Sequence, residues 1–292
     1  MSPATLTMKY DPAFCEREYN ARAAVPDHAE HLRLWAQASQ QVRVNHPCFL
    51  DIAYGTQPNQ TLDIFPTPRG ADGAPLMVFI HGGYWRSLDK SAFSFLAPAF
   101  TRAGIALAVI NYRLVPQVPL EDLVRDTVAS IAWLYRNAAD YGANPRRLVV
   151  SGHSAGGHLA AMMLACQWPL WERGLPREVV RGALAISGLY DLEPFIVTPF
   201  LRDDLRLDDK RALALSPACM APATSARLIT SVGGAESSEF HRQADLLAQR
   251  WSGVFERNVA MPGYNHFTVC SALGDPSNAL FSAARELALS PG

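Results

Sequence analysis

The sequence predicts an α/β fold, a mostly parallel twisted sheet with helices on both faces and an antiparallel hairpin near its N-terminus. Three observations predict it. Apolar runs of strand length recur at residues 76–80, 105–110, 148–150, 182–186 and 227–232, as strands buried on both faces require. Stretches of helical periodicity alternate with them, the pattern of parallel strands joined by crossover helices. The run Leu148-Val149-Val150 also leads into Gly152-His153-Ser154-Ala155-Gly156-Gly157, followed at once by small and apolar residues of helical character. Strand, one-residue turn and helix in that order are the context of a nucleophile elbow.

Composition sets the scale. With 292 residues and 49% hydrophobic content, one large core is feasible, because a chain near 300 residues buries roughly 75% of its unfolded surface. No internal repeat or composition shift divides the chain, so residues 1–292 read as one domain. A net charge of −1 supplies no attraction to nucleic acid or to an anionic membrane. The five cysteines are scattered and lack a Cys-x-x-Cys spacing, the usage of reduced thiols in a cytoplasmic protein. Residues 1–11 lack the basic region and apolar run of a signal peptide, and no apolar stretch approaches membrane-spanning length. A small-molecule substrate is the expected partner, and a homodimer is compatible with this reading.

The elements follow in order. Residues 10–41 are polar and helix-prone, and Asp27 stands where it would cap a helix carrying Leu32, Trp35 and Ala36 on one face. This extension, residues 1–47, reads either as a cap over a site or as a surface helix. Residues 49–54 and 60–65 alternate apolar and polar around Gly55, Pro58 and Asn59, an antiparallel hairpin. Pro66, Pro68, Gly70 and Gly73 break the pattern before the buried strand 76–80. A helical stretch at 90–102, a strand at 105–110 and a helix at 121–141 lead to the elbow. After strand 182–187, residues 189–223 hold Pro194, Pro199, Pro217 and Pro222 and are long for a connection, so they read as a lid or substrate loop. A strand at 227–232, a helix at 239–251, a strand at 254–261 and a helix at 275–289 complete the chain.

Chemistry is expected just after strands, where open α/β sheets bind ligands. A serine nucleophile needs a base in hydrogen-bond reach and a third group to set the tautomer of that base. Of the eight histidines, His266 follows the last strand in Pro262-Gly263-Tyr264-Asn265-His266 and is the candidate base. Glu236, first after the turn Gly233-Gly234, is the candidate acid, with Asp191 as its rival after strand 182–187. Glu239 is expected to face solvent in a first helical turn, where a carboxylate complements the helix dipole. The order Ser154, Glu236, His266 is that of the α/β-hydrolase fold. His81-Gly82-Gly83 matches its oxyanion loop, and the N–H of Ala155, at the start of the elbow helix, is a further donor. Gly-x-Gly-x-x-Gly, a P-loop and His-Glu-x-x-His are all absent, so no cofactor or metal is expected.

His81-Gly82-Gly83-Tyr84-Trp85 resembles the signature of the arylformamidases, or kynurenine formamidases, in the hormone-sensitive-lipase-like branch of the α/β-hydrolases. Residues Gly152 to Leu159, Ser187-Gly188-Leu189-Tyr190-Asp191-Leu192, Glu236 to Gln243 and Glu18-Tyr19-Asn20-Ala21-Arg22 are also similar. The resemblance covers nearly the whole chain. It implies Ser154 as nucleophile, His266 as base and Glu236 as acid, with oxyanion donors on Gly82 or Gly83, Tyr84 and Ala155. It implies cleavage of an aryl formamide such as N-formyl-L-kynurenine, or, as the alternative, of short-chain acyl or aryl esters. Tyr84, Trp85, Tyr190 and Asp191 are the candidate substrate contacts, although Trp85 is equally placed to pack beneath a cap. Glu236 departs from animal relatives, which carry Asp there. Either carboxylate can accept from an imidazole.

Overall fold

The computed structural model describes residues 9–67 and 73–290. The first eight residues of the N-terminal reading, and the breakers Pro68 and Gly70, lie outside the described residues. Eight strands, β1 (Phe49–Ala53), β2 (Thr61–Phe65), β3 (Ala74–Ile80), β4 (Ala106–Ile110), β5 (Ala143–His153), β6 (Gly182–Ile186), β7 (Arg227–Gly233) and β8 (Phe255–Met261), form one sheet. Its order is β1-β2-β4-β3-β5-β6-β7-β8. The pairs β1–β2 and β2–β4 are antiparallel and the other five parallel, so the expected hairpin sits at one edge of a parallel sheet.

The apolar runs are apolar because both faces are covered. Every residue of β3, β4 and β6 is buried, whereas edge strand β1 is largely exposed. Successive side chains point to opposite faces, and two cores result. Leu76, Val78 and Ile80 of β3 join the core on one face, Met77 and Phe79 the other. The helices are α1 (Pro12–Tyr19), α2 (Ala21–Ala24), α3 (His28–Asn45), α4 (Ala97–Arg102), α5 (Leu120–Asn137), α6 (Ala155–Ala165), α7 (Trp168–Trp171), α8 (Arg202–Leu205), α9 (Asp209–Ala214), α10 (Ser238–Arg250), α11 (Thr268–Ala272) and α12 (Ala279–Leu289). No helix among the described residues is long and apolar enough to cross a membrane. All five cysteines are free thiols.

Several local expectations change. The stretch 90–102 is a 3-10 helix over Lys90–Leu96 followed by α4. The last helix starts at Ala279, because the Asn278 side chain caps it by accepting from Leu280 N–H. Asp27 precedes α3 but makes no capping bond; its carboxylate lies 3.6 Å from His31 Nε2 one turn on. Trp35 and Ser39 form the buried stripe of α3, and Ala36 is exposed. Residues 189–223 are tightly packed, with Leu192, Phe195, Leu201, Leu205 and Leu215 in the core.

Strand order reverses between β3 and β5: the chain leaves β3 toward β4 on one side and leaves β5 toward β6 on the other. The loops after these two adjacent strands therefore diverge and open a crevice at their carboxyl ends.

Candidate active site

The elbow occupies that crevice. Ser154 links β5 to α6 with φ 59° and ψ −120°, a conformation costing on the order of 1–3 kcal/mol that its surroundings must hold. Its N–H donates to the Ile186 carbonyl at 2.8 Å, and its own carbonyl accepts from Gly157 N–H at 2.8 Å. The glycines are required by contact. A Cβ on Gly152 would stand 2.0 Å from the Gly156 carbonyl oxygen, and one on Gly156 would stand 1.9 Å from that of Ile80. Ala155 follows as the first residue of α6, fully buried, where helix geometry leaves its N–H without an intrahelical acceptor.

The loop after β3 lies directly above. Gly83, Tyr84 and Trp85 have φ of 108°, 54° and 58°, a left-handed run. The turn is closed on the Gly83 carbonyl, which accepts from Arg86 N–H and Ser87 N–H. The N–H groups of Gly83 and Tyr84 donate to no protein acceptor among the described residues. Gly82 packs against the elbow itself, where a Cβ would stand 3.0 Å from Ser154 Cβ. The Tyr84 hydroxyl accepts from Ala21 N–H at 2.8 Å and donates to the Tyr19 carbonyl at 2.9 Å. Burial pushes that phenol up to about 12. Tyr84 thus pins α2 to the loop over Ser154.

His266 arrives from the loop after β8, where Asn265 Oδ1 accepts from the N–H groups of Phe267 and Thr268, each at 2.9 Å. His266 Nδ1 lies 2.5 Å from Glu236 Oε2. The carboxylate accepts, so Nδ1 carries the proton and Nε2 is left as an acceptor. Glu236 Oε1 accepts from Ser187 Oγ at 2.5 Å and Gly233 N–H at 2.7 Å, so both its oxygens are oriented and its side chain is buried. Asp191 is not at this position. It faces Tyr10 at 3.3 Å and Arg242 at 3.6 Å, in a clasp between the N-terminus and α10.

Ser154 and His266 line one cavity of about 20 Å³, room for about one water, together with Gly83, Tyr84 and His153. Its roof comes from the N-terminal helices, through Ala21, Arg22, Leu32 and Trp35. A larger cavity of about 430 Å³ lies beside Arg181 and Arg227, before β6 and at the start of β7, the opposite end of the strands from Ser154.

Three expected substrate contacts are not in this cavity. Trp85 is fully buried, and its Nε1–H donates to His158 Nδ1 at 3.1 Å; His158 Nε2–H in turn donates to the Leu215 carbonyl at 2.8 Å. Tyr190 is fully buried with its ring against Gly188, and Asp191 belongs to the clasp described above. Glu239, expected in solvent, is buried: its carboxylate accepts from the Tyr19 hydroxyl and from Arg242. A first-turn position on a helix says nothing of what the chain packs over it, and here α1 covers α10.

Two further residues at the site escape sequence reasoning. Ser187 orients Glu236, and its signal was a serine ending a strand beside a candidate acid. His153 donates through Nε2–H to the His266 carbonyl at 2.8 Å, and its ring sits 4.6 Å from that of His266. Burial, and then the neighbouring His266, hold the His153 imidazole well below its ordinary range, so it is a neutral prop for the loop.

An eight-stranded, mostly parallel sheet with an elbow serine at its switch point defines an α/β-hydrolase. A family model described as BD-FAE matches residues 62–168. The crystal structure of a candidate thioesterase from Silicibacter sp. superposes with a TM-score of 0.80 at 31% identity, over 91% of this chain and 97% of that one. An esterase from Pyrobaculum calidifontis shares the fold with a TM-score of 0.66 at 17% identity, over 98% of this chain and 95% of that one. The kynurenine formamidase of Danio rerio is 27% identical over 84% of this chain and 82% of its own, and that of Salmo salar 25% identical over 94% and 92%. The chain belongs to the α/β-hydrolases, is similar over most of its length to kynurenine formamidases, and is a hydrolase.

Proposed function

We propose that this protein is a serine hydrolase that cleaves an aryl formamide such as N-formyl-L-kynurenine to kynurenine and formate. The observation that carries the reading is the 2.5 Å contact of His266 Nδ1 with Glu236 Oε2, in a histidine that shares a cavity with Ser154. His266 Nε2 takes the Ser154 proton as Oγ attacks the formyl carbon. The N–H groups of Gly83, Tyr84 and Ala155 hold the oxygen of the tetrahedral intermediate. The proton passes from His266 to the departing arylamine, and water, deprotonated by the same imidazole, releases formate from the serine ester. An arylamine leaves more readily than an alkylamine, so an esterase-like site suffices. The N-terminal helices act as the cap.

The second reading is a carboxylesterase for short acyl groups, favoured by a cavity that leaves little room beyond the reacting carbonyl. The likeness to the candidate thioesterase adds a thiolate leaving group to the same chemistry. Comparing kcat/KM for N-formylkynurenine, p-nitrophenyl acetate and an acetyl thioester separates these readings. Preference for the formamide supports the first; ester or thioester turnover without formamide cleavage replaces it. Ser154→Ala should lower kcat by roughly 10⁶-fold on whichever substrate is used, and a variant keeping most activity removes the serine mechanism.

A further inference from the structure

The cavity at Ser154 holds one permanently charged side chain, and its charge is unanswered. Arg22, on α2, lines the roof and is partly exposed. Its Nη2 donates to Ser87 Oγ at 3.0 Å, and its guanidinium stands 6.0 Å from the centre of the Tyr84 ring. Ser87 Oγ is itself committed to the Gly83 carbonyl at 2.9 Å, so the arginine is tied to the loop proposed above to supply the oxyanion donors. A guanidinium offers five N–H donors in a rigid fork that matches a carboxylate. Among the described residues Ser87 takes one, and no Asp or Glu pairs with Arg22. Arg86, next to Ser87 on the loop after β3, is treated differently: it is paired with Asp204 at 2.5 Å and donates to the Phe200 carbonyl at 2.7 Å. The other lining groups are apolar, aromatic or polar without permanent charge, and His153 is held neutral by burial. A fixed cation without an acidic partner attracts an anion from solvent.

We propose that Arg22 is the specificity residue of this site and that the preferred substrates carry a carboxylate on the leaving group, which the open side of the guanidinium receives. This rests on the reading of Ser154 as the nucleophile. It adds that anionic substrates are selected over neutral ones by one residue of the cap. Arg22 takes no part in proton transfer, so its loss should appear in KM more than in kcat, and only for substrates bearing the charge.

The test compares wild type, Arg22→Gln and Arg22→Lys on two matched pairs: phenyl acetate with 4-acetoxybenzoate, and formanilide with N-formylkynurenine. Arg22→Gln is expected to lower kcat/KM for the carboxylated member of each pair about 10- to 100-fold, mainly through KM. The neutral member should lose several-fold less than its carboxylated partner, so that the ratio of the two falls, and Arg22→Lys should keep part of the discrimination. Equal losses on charged and neutral members would mean that Arg22 serves the scaffold or the reacting oxygen, and would overturn the proposal; so would no loss on either. Turnover of the esters without the formamides removes the formamidase reading while the ester pair still decides on Arg22. If wild type turns over none of these substrates, calorimetry with kynurenine, which needs no turnover, decides. Equal affinity in wild type and Arg22→Gln overturns the proposal, and weaker binding by the variant sustains it.

Discussion

The N-terminal helices and residues 189–223 both pack against the loops that follow the strands, yet only the N-terminal helices reach the cavity at Ser154. Ala21, Arg22, Leu32 and Trp35 roof it, and Tyr84 pins α2 in place through two buried backbone groups. The later segment lies behind the loop after β3. It meets Trp85 through Phe195 and His158 through the Leu215 carbonyl, and contributes nothing to the cavity lining. A long, proline-rich connection looked like the cover, but its leucines are spent on the core. The polar N-terminal extension forms the roof because its apolar side chains are few and the crevice is where they find cover.

The difference is open to measurement. Residues 189–223 should respond as core. Leu201→Ala, at a fully buried position, is expected to cost about 2–5 kcal/mol in urea unfolding while leaving the ratio of kcat/KM between two substrates unchanged. A change in that ratio would assign this segment to the site.

Acid should act on the same side. Burial holds His158 down at about 4, below the ordinary histidine range. Between about pH 6.5 and 4 the unfolded chain therefore binds a proton that the folded chain refuses, so stability falls as pH falls through that window and levels off below it. For His158 alone the loss is about 3 kcal/mol. His81 and His153 are displaced in the same direction. Urea midpoints measured from pH 7 to 4 should show this slope, and His158→Gln should flatten it. An unchanged slope in the variant would place the acid sensitivity elsewhere.

The roof should yield the smallest loss of stability and the clearest kinetic change. Tyr84→Phe leaves Ala21 N–H and the Tyr19 carbonyl without their partner, at a cost of about 1–3 kcal/mol. It is expected to shift the preference between bulky and small acyl esters, because the helix it releases carries Ala21 and Arg22. Steady-state kinetics that match wild type on both would show that the roof holds without this pin.

The sequence points to Ser154, Glu236 and His266 because each lies just after a strand, and strands are visible as apolar runs. In the structure His266 meets Glu236 at 2.5 Å and shares a cavity with Ser154. The elbow glycines were legible for a stronger reason: two backbones within van der Waals contact tolerate no side chain, and that constraint is written in adjacent residues. Tyr84 and Trp85 show where such reasoning stops. They are consecutive, both aromatic and both left-handed, but one lines the cavity and the other lies beneath it, hydrogen-bonded to His158. Glu236 and Glu239 show it again: three residues apart, one orients His266 and the other is buried under α1 by Tyr19.

The sequence by itself determined the alternation of strands and helices, the strained serine at the turn and the order of the residues that meet it. These follow from periodicity and from steric rules acting over a few consecutive residues. Only the tertiary structure decided which segment roofs the cavity, which carboxylate reaches the imidazole and which arginine is left without an acidic partner. Those outcomes depend on surfaces far apart in the chain. Local pattern says that a side chain will be buried or charged, but its partner is set by which distant segment packs against it.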